Sequence, residues 1–209
     1  RPHAVTIDHE DNVWLVDDNG NQIHKMSKSG EFLMTVGSGE AAPKQSGKMF
    51  NRPTDVAISA KTGEIFITDG YANSRVHRFG AEGDLIKSWG AIGTDPGEFN
   101  IPHNIATDKD GWVYVADREN QRIQVFDRNG KFETQWINMA KPCGLYIDKS
   151  GDQRVYVGEL GVAIGPNSQA YGLGPRVTIM DIKGNVLAKL GDGPEGIEPG
   201  QFTAPHGVS

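Results

Sequence analysis

One pattern returns four times along this chain of 209 residues, and that recurrence constrains the fold more than any other feature. Each copy opens on a proline that leads a short apolar segment. A second segment follows, closed by Asp in the first three copies, and then a third and fourth joined by a glycine turn. The copies run 2–5, 13–17, 22–26 and 32–37; 53–56, 65–69, 75–79 and 85–90; 102–105, 113–117, 122–126 and 132–136; and 142–145, 155–158, 176–180 and 186–191. A fifth opens at Pro205-His206-Gly207-Val208.

Segments rich in Val and Ile, alternating in polarity and separated by turns such as Ser29-Gly30, Asn129-Gly130 and Lys183-Gly184, are antiparallel strands. Four such strands per unit, at a spacing of roughly 40 to 60 residues, describe blades of an all-β propeller. The units of this single domain are placed at about 2–50, 51–99, 100–140, 141–202 and 203–209, so four blades and the start of a fifth are expected. No segment sustains a 3.6-residue period, which excludes α-solenoids and coiled coils. The 27 Gly and 11 Pro agree with many tight turns. Residues 160–174 interrupt the fourth unit and read as a long surface loop.

With 27 acidic against 21 basic side chains the net charge is −6, which argues against nucleic acid or an anionic membrane as partner. No apolar run approaches the roughly 20 residues that span a bilayer. A lone cysteine, Cys143, forms no internal disulfide.

The residue after the repeat's proline is His3, Thr54, His103, Cys143 and His206 in turn. Histidine therefore occupies alternate copies. In a ring of six blades these positions lie 120° apart, and their imidazoles would converge on the axis, nitrogens within about 4 Å, as a metal tripod with one position open. The alternative is that they fill the channel mouth or cap turns. His9 lies in a turn on the opposite face, and His24 and His77 lie in third strands, so these three are expected at the surface or in structural roles. Tyr71 and Arg118 follow second strands and so emerge on the face of the alternating histidines. Asp17, Asp69 and Asp117 recur at one position and are expected to stabilise turns. Arg75 and Arg122 recur likewise and are expected to pair between blades. A ring of six also implies an excerpt lacking about 80 to 100 residues, at 40 to 50 per blade. The four blades would then form an open arc with His206 stranded beside the gap.

The units resemble NHL repeats. Arg52-Pro53-Thr54-Asp55-Val56-Ala57, Thr68-Asp69-Gly70-Tyr71, Asn73-Ser74-Arg75, Val115-Ala116-Asp117-Arg118-Glu119-Asn120 and the Pro-His pairs are similar to the lyase domain of peptidylglycine α-amidating enzymes. That resemblance implies a six-bladed propeller with Zn2+ on His3, His103 and His206. It implies that Tyr71 takes a proton from the substrate hydroxyl and that Arg118 binds beside it. The implied reaction splits a carbinolamide C–N bond, in a small molecule or a C-terminal peptide, to an amide and glyoxylate; the implied setting is secreted or periplasmic. The family's structural Ca2+ draws on an acidic residue directly after the third histidine, where this chain has Gly207. Ala204 stands where the family has Met, and Ala72 where it has a disulfide cysteine after the tyrosine. The rival readings are a non-catalytic platform for a protein partner and a sugar-lactone or ester hydrolase. The latter would gather carboxylates and Asn around calcium, which the alternating histidines disfavour. RNA binding ranks below both on charge.

Overall fold

A computed structural model describes residues 1–162, 172, 174–191 and 193–208. Sixteen strands account for the regular structure of those residues, in four antiparallel sheets. The first blade is β1 (Pro2–Ile7), β2 (Val13–Asp17), β3 (Gln22–Met26) and β4 (Phe32–Val36). The second is β5 (Asp55–Ile58), β6 (Ile65–Asp69), β7 (Arg75–Phe79) and β8 (Leu85–Trp89). The third is β9 (Pro102–Thr107), β10 (Val113–Asp117), β11 (Arg122–Phe126) and β12 (Phe132–Trp136). The fourth is β13 (Pro142–Asp148), β14 (Arg154–Glu159), β15 (Arg176–Asp181) and β16 (Val186–Leu190). Each sheet keeps sequence order from inner to outer strand, so consecutive strands within a blade pair antiparallel. Most of the 160–174 insertion lies outside the described residues.

The strands differ in burial by their place in the blade. β6 and β10 are buried at every position, because each is covered on both faces by neighbouring blades. Their sequences, Ile65-Phe66-Ile67 and Val113-Tyr114-Val115, are accordingly apolar runs. Outer strands such as β8 expose most positions and bury only the last, Trp89. At the hairpin between third and fourth strands, Gly30, Gly83, Gly130 and Gly184 take φ of 86°, 85°, 75° and 88°, a left-handed bend that glycine adopts without penalty.

Apolar side chains collect between consecutive blades. Trp14, Ile23, Phe50 and Ile67 join the first to the second; Phe66, Trp89, Phe99 and Val115 the second to the third; Tyr114, Trp136, Val155 and Met180 the third to the fourth. Among the described residues no corresponding cluster joins the fourth blade to the first. Val5 and Ile7 of β1 are 61% and 67% exposed, and Leu190 of β16 is 50% exposed.

The recurring acidic residue does more than hold a turn. Asp69 accepts the backbone N–H of Asn51 at 2.9 Å, Asp117 accepts that of Asn100 at 2.8 Å, and Glu159 accepts that of Ala140. Each donor lies two residues before its blade's proline, so one buried carboxylate ties the second strand to the entry of the first. The intervening residues Arg52, Ile101 and Lys141 have φ of 63°, 56° and 58°. Arg122 pairs with Asp117 at 2.8 Å and Arg176 with Glu159 at 3.0 Å, both inside one blade. The expectation of inter-blade arginine pairs is met for Arg122 by hydrogen bonds and not by its ion pair: the guanidinium compensates the buried Asp117 of its own blade while also donating to the carbonyls of Thr94, Asp95 and Glu98 in the segment that leads in from the second blade. Arg75 forms no ion pair among the described residues and packs instead against Gly47.

Candidate metal centre and its rim

His3 and His103 open β1 and β9, the inner strands of alternate blades, and their rings lie 5.0 Å apart between centroids. His206 joins them at 5.7 Å from His3 and 4.6 Å from His103. One ring nitrogen from each lies within 4.8 Å of the others. His206 is therefore not stranded. The segment around it packs on the fourth blade, where Gly158 leaves room for the Pro205 carbonyl: a Cβ there would sit 2.5 Å from that oxygen.

The backbone sets the tautomers of two rings. His3 Nδ1 lies 2.6 Å from the carbonyl oxygen of Thr54, and His103 Nδ1 lies 3.1 Å from that of Cys143. Thr54 and Cys143 hold the same repeat position one blade further on. A carbonyl only accepts, so each Nδ1 carries the proton and each Nε2 presents a lone pair to the axis. His103 Nδ1 also faces Asn104 Oδ1 at 2.8 Å, and Asn104 Nδ2 donates to Asp55 Oδ2 at 2.9 Å. Burial lowers the pKa of all three histidines, that of His103 to about 3, so the neutral form that binds metals is favoured. Three imidazoles gathered on the axis, two of them with Nε2 lone pairs turned inward, fit a tetrahedral cation with one open position.

Tyr71 reaches the same point. Its hydroxyl is 2.8 Å from His3 Nε2 and 3.2 Å from His103 Nε2. Gly70 makes this possible, since a Cβ there would lie 2.0 Å from the Pro102 carbonyl oxygen, and only a bare Cα lets the turn close over the third blade. The Arg118 guanidinium carbon is 5.8 Å from the Tyr71 ring centre while its Nε holds Glu119 at 2.9 Å. Arg52, which sequence reasoning did not single out for the site, is nearer at 4.6 Å. Cys143 is buried with Sγ 3.2 Å from His103 Nδ1, and burial raises its pKa to about 11, so the thiol stays protonated.

The remaining histidines lie apart from this cluster. His77 is fully buried, with Nδ1 at 2.7 Å from Ser88 Oγ, and His24 Nδ1 is 3.0 Å from Thr35 Oγ1. His9 is exposed at the far end of an axial channel of about 760 Å³ that also reaches His3, His206 and Asp55.

The NHL repeat pattern matches residues 50–79 and 99–126, the first three strands of the second and third blades. The chain thus carries NHL repeats in a propeller fold. This NHL propeller is 41% identical over 129 residues to a probable peptidyl-alpha-hydroxyglycine alpha-amidating lyase of Caenorhabditis elegans, covering 60% of the chain and 36% of the relative. It is 33% identical to peptidyl-alpha-hydroxyglycine alpha-amidating lyase 1 of Drosophila melanogaster, over the whole chain and 40% of the relative. It thus resembles the amidating lyase domain while spanning less than half the length of these relatives. In fold the NHL propeller superposes on virginiamycin B lyase of Staphylococcus aureus with a TM-score of 0.65 at 17% identity, covering 99% of this chain and 58% of that one.

Proposed function

We propose that this protein is a zinc-dependent lyase that cleaves the carbinolamide C–N bond of an α-hydroxyglycine-terminated peptide or acylamide, releasing the amide and glyoxylate. The observation that carries the reading is the meeting of Tyr71 Oη with two inward Nε2 atoms on the axis, at 2.8 and 3.2 Å, with His206 completing the cluster. The named lyase relatives supply the reaction class.

Zinc bound by His3, His103 and His206 would supply Lewis acidity toward the substrate's hydroxyl oxygen. The chain's own groups handle the rest. The Tyr71 oxygen takes the hydroxyl proton as the C–O bond becomes a carbonyl and the C–N bond breaks, and that proton passes on to the departing amide nitrogen. No oxidant or water is consumed. Arg118 orients the substrate carboxylate, which becomes the carboxylate of glyoxylate. Gly207 brings no carboxylate beside His206, so the reading includes no calcium.

The test is metal analysis of the purified protein, followed by glyoxylate release from benzoyl-α-hydroxyglycine. We expect about one zinc per chain, lost when His3, His103 or His206 is changed to Ala. Tyr71→Phe should lower turnover at least about 100-fold, the usual weight of a proton-transfer group, with zinc content intact. Protein that holds zinc poorly and releases no glyoxylate would instead favour the non-catalytic protein-binding platform.

A further inference from the structure

The position before the repeat's proline carries a cation in three of the four blades: Arg1, Arg52 and Lys141, with Ile101 in the third. These side chains reach the rim of the histidine cluster. There they form two arrays, each with a pair of cations converging on a carboxylate. Asp18, buried, is held by Arg1 and by Arg52, the latter at 2.9 Å. Glu119 is held by Arg118 at 2.9 Å and by Lys141 at 3.2 Å. The Glu119 array has two cations on one carboxylate and so leaves one positive charge unmatched, whereas in the Asp18 array Arg1 also holds Asp17 through its α-amino group, and the guanidinium turned to the site is that of Arg52. Arg52 and Arg118, one from each array, both address the ring of Tyr71, at 4.6 and 5.8 Å. Arg52 Nε is buried and has no hydrogen-bond partner. A chain whose overall charge is −6 thus sets two guanidinium groups over the tyrosine of its site.

We infer that the rim selects a substrate with two carboxylates, the terminal one on the Arg118 array and that of an acidic preceding residue on the Arg52 array. The occupant is the acidic C-terminus of a peptide or an acyl-amino acid of the same charge. Two carboxylates on neighbouring residues suit two guanidinium-bearing arrays that share one aromatic ring as their floor. Neutral or basic residues at the preceding position leave the Arg52 Nε without a partner and are bound less well. The inference rests on the lyase reading for its substrate class, but the binding test does not depend on turnover.

The test uses the full chain, loaded with zinc, and glycine-terminated peptides that lack the hydroxyl and cannot be cleaved. Acetyl-Glu-Gly carries two carboxylates, acetyl-Gln-Gly one and acetyl-Gln-Gly-amide none. Calorimetric titration at low salt should show affinity falling by about fivefold or more at each step, as expected for charge-assisted contacts at a half-exposed rim. Both steps should shrink in 0.5 M NaCl, a salt level of about 4 Å screening length. Arg52→Gln should bring the Glu and Gln peptides together while the step from acid to amide persists, and Arg52→Lys should restore part of the Glu preference. Equal binding of the Glu and Gln peptides to the unchanged protein overturns the inference. So does an Arg52→Gln variant, folded by circular dichroism, that keeps the full Glu preference. Failure of the lyase reading shows separately, as absence of glyoxylate from the hydroxylated benzoyl compound.

Discussion

At the scale of single residues, the sequence position that follows each proline carried much of the site. His3, His103 and His206 could be picked out because a repeat turns a three-dimensional question into counting. Arg52 escaped that counting. Its place over Tyr71 depends on a left-handed bend at Arg52 itself, and no linear pattern predicts where a long side chain goes from such a bend. Asp55 escaped as well. It is buried, accepts from Asn104 Nδ2 and the Ile105 N–H, and burial raises its pKa from 3.8 to about 7. Between those values the native state holds a proton that the unfolded chain has released, so this group makes folding less favourable as pH rises from about 4 to 7. The limiting slope for one proton is about 1.4 kcal/mol per pH unit. His103, lowered from 6.5 to about 3, acts with the opposite sign and weakens folding as pH falls through that range. Asp55→Asn removes only the first effect. Urea unfolding at pH 4.5 and pH 7 should therefore show the variant gaining on the wild type at the higher pH; parallel losses at both would show that Asp55 does not titrate in this window.

At the scale of elements, hairpins and strand cores were legible and connections were not. The segments 13–17, 22–26, 65–69, 75–79, 113–117, 122–126 and 132–136 coincide with strands, since β-branched runs bounded by glycine turns leave little freedom. The fourth blade's second strand runs on to Glu159, past the point where the sequence pattern ends, because that glutamate does the work of Asp in the other blades. Longer Glu in place of Asp hid the equivalence. The hairpin glycines share φ but not surroundings, and they separate two costs. At Gly130 a Cβ would lie 2.6 Å from the Trp89 ring, whereas at Gly30 nothing lies within 4 Å. Gly30→Ala should cost only the backbone strain, about 1 kcal/mol. Gly130→Ala should cost about 2 to 4 kcal/mol, because Trp89 must also move. Equal urea midpoints for the two variants would show that Trp89 does not brace the third blade's hairpin.

At the scale of the whole molecule, stability is unevenly spread. The second and third blades are covered on both sides, whereas β1 exposes Val5 and Ile7 and the outer face of the fourth blade exposes Leu190. Native-state hydrogen exchange should therefore find its slowest amides in β6 and β10 and faster exchange in β1. Uniform protection across the four sheets would contradict this distribution. The succession of blades and the convergence of His206 with the other two histidines followed from the repeat, but the packing that holds the 205–208 segment on Gly144 and Gly158 of the fourth blade did not.

The three imidazoles belong to residues about a hundred positions apart in the chain. A cation gripped by all three would be a cross-link, closing two long loops that no covalent bond closes in a chain with a single cysteine. In the chain-entropy account of such closures, a loop of about 100 residues is worth about 4 to 5 kcal/mol when a disulfide makes it, and a metal clasp acts on the same unfolded freedom. The first blade, whose outward face has little apolar cover, would gain most from being fastened to the third. Chelation should then be felt first in the blade that carries His3, far along the sequence from the other two ligands.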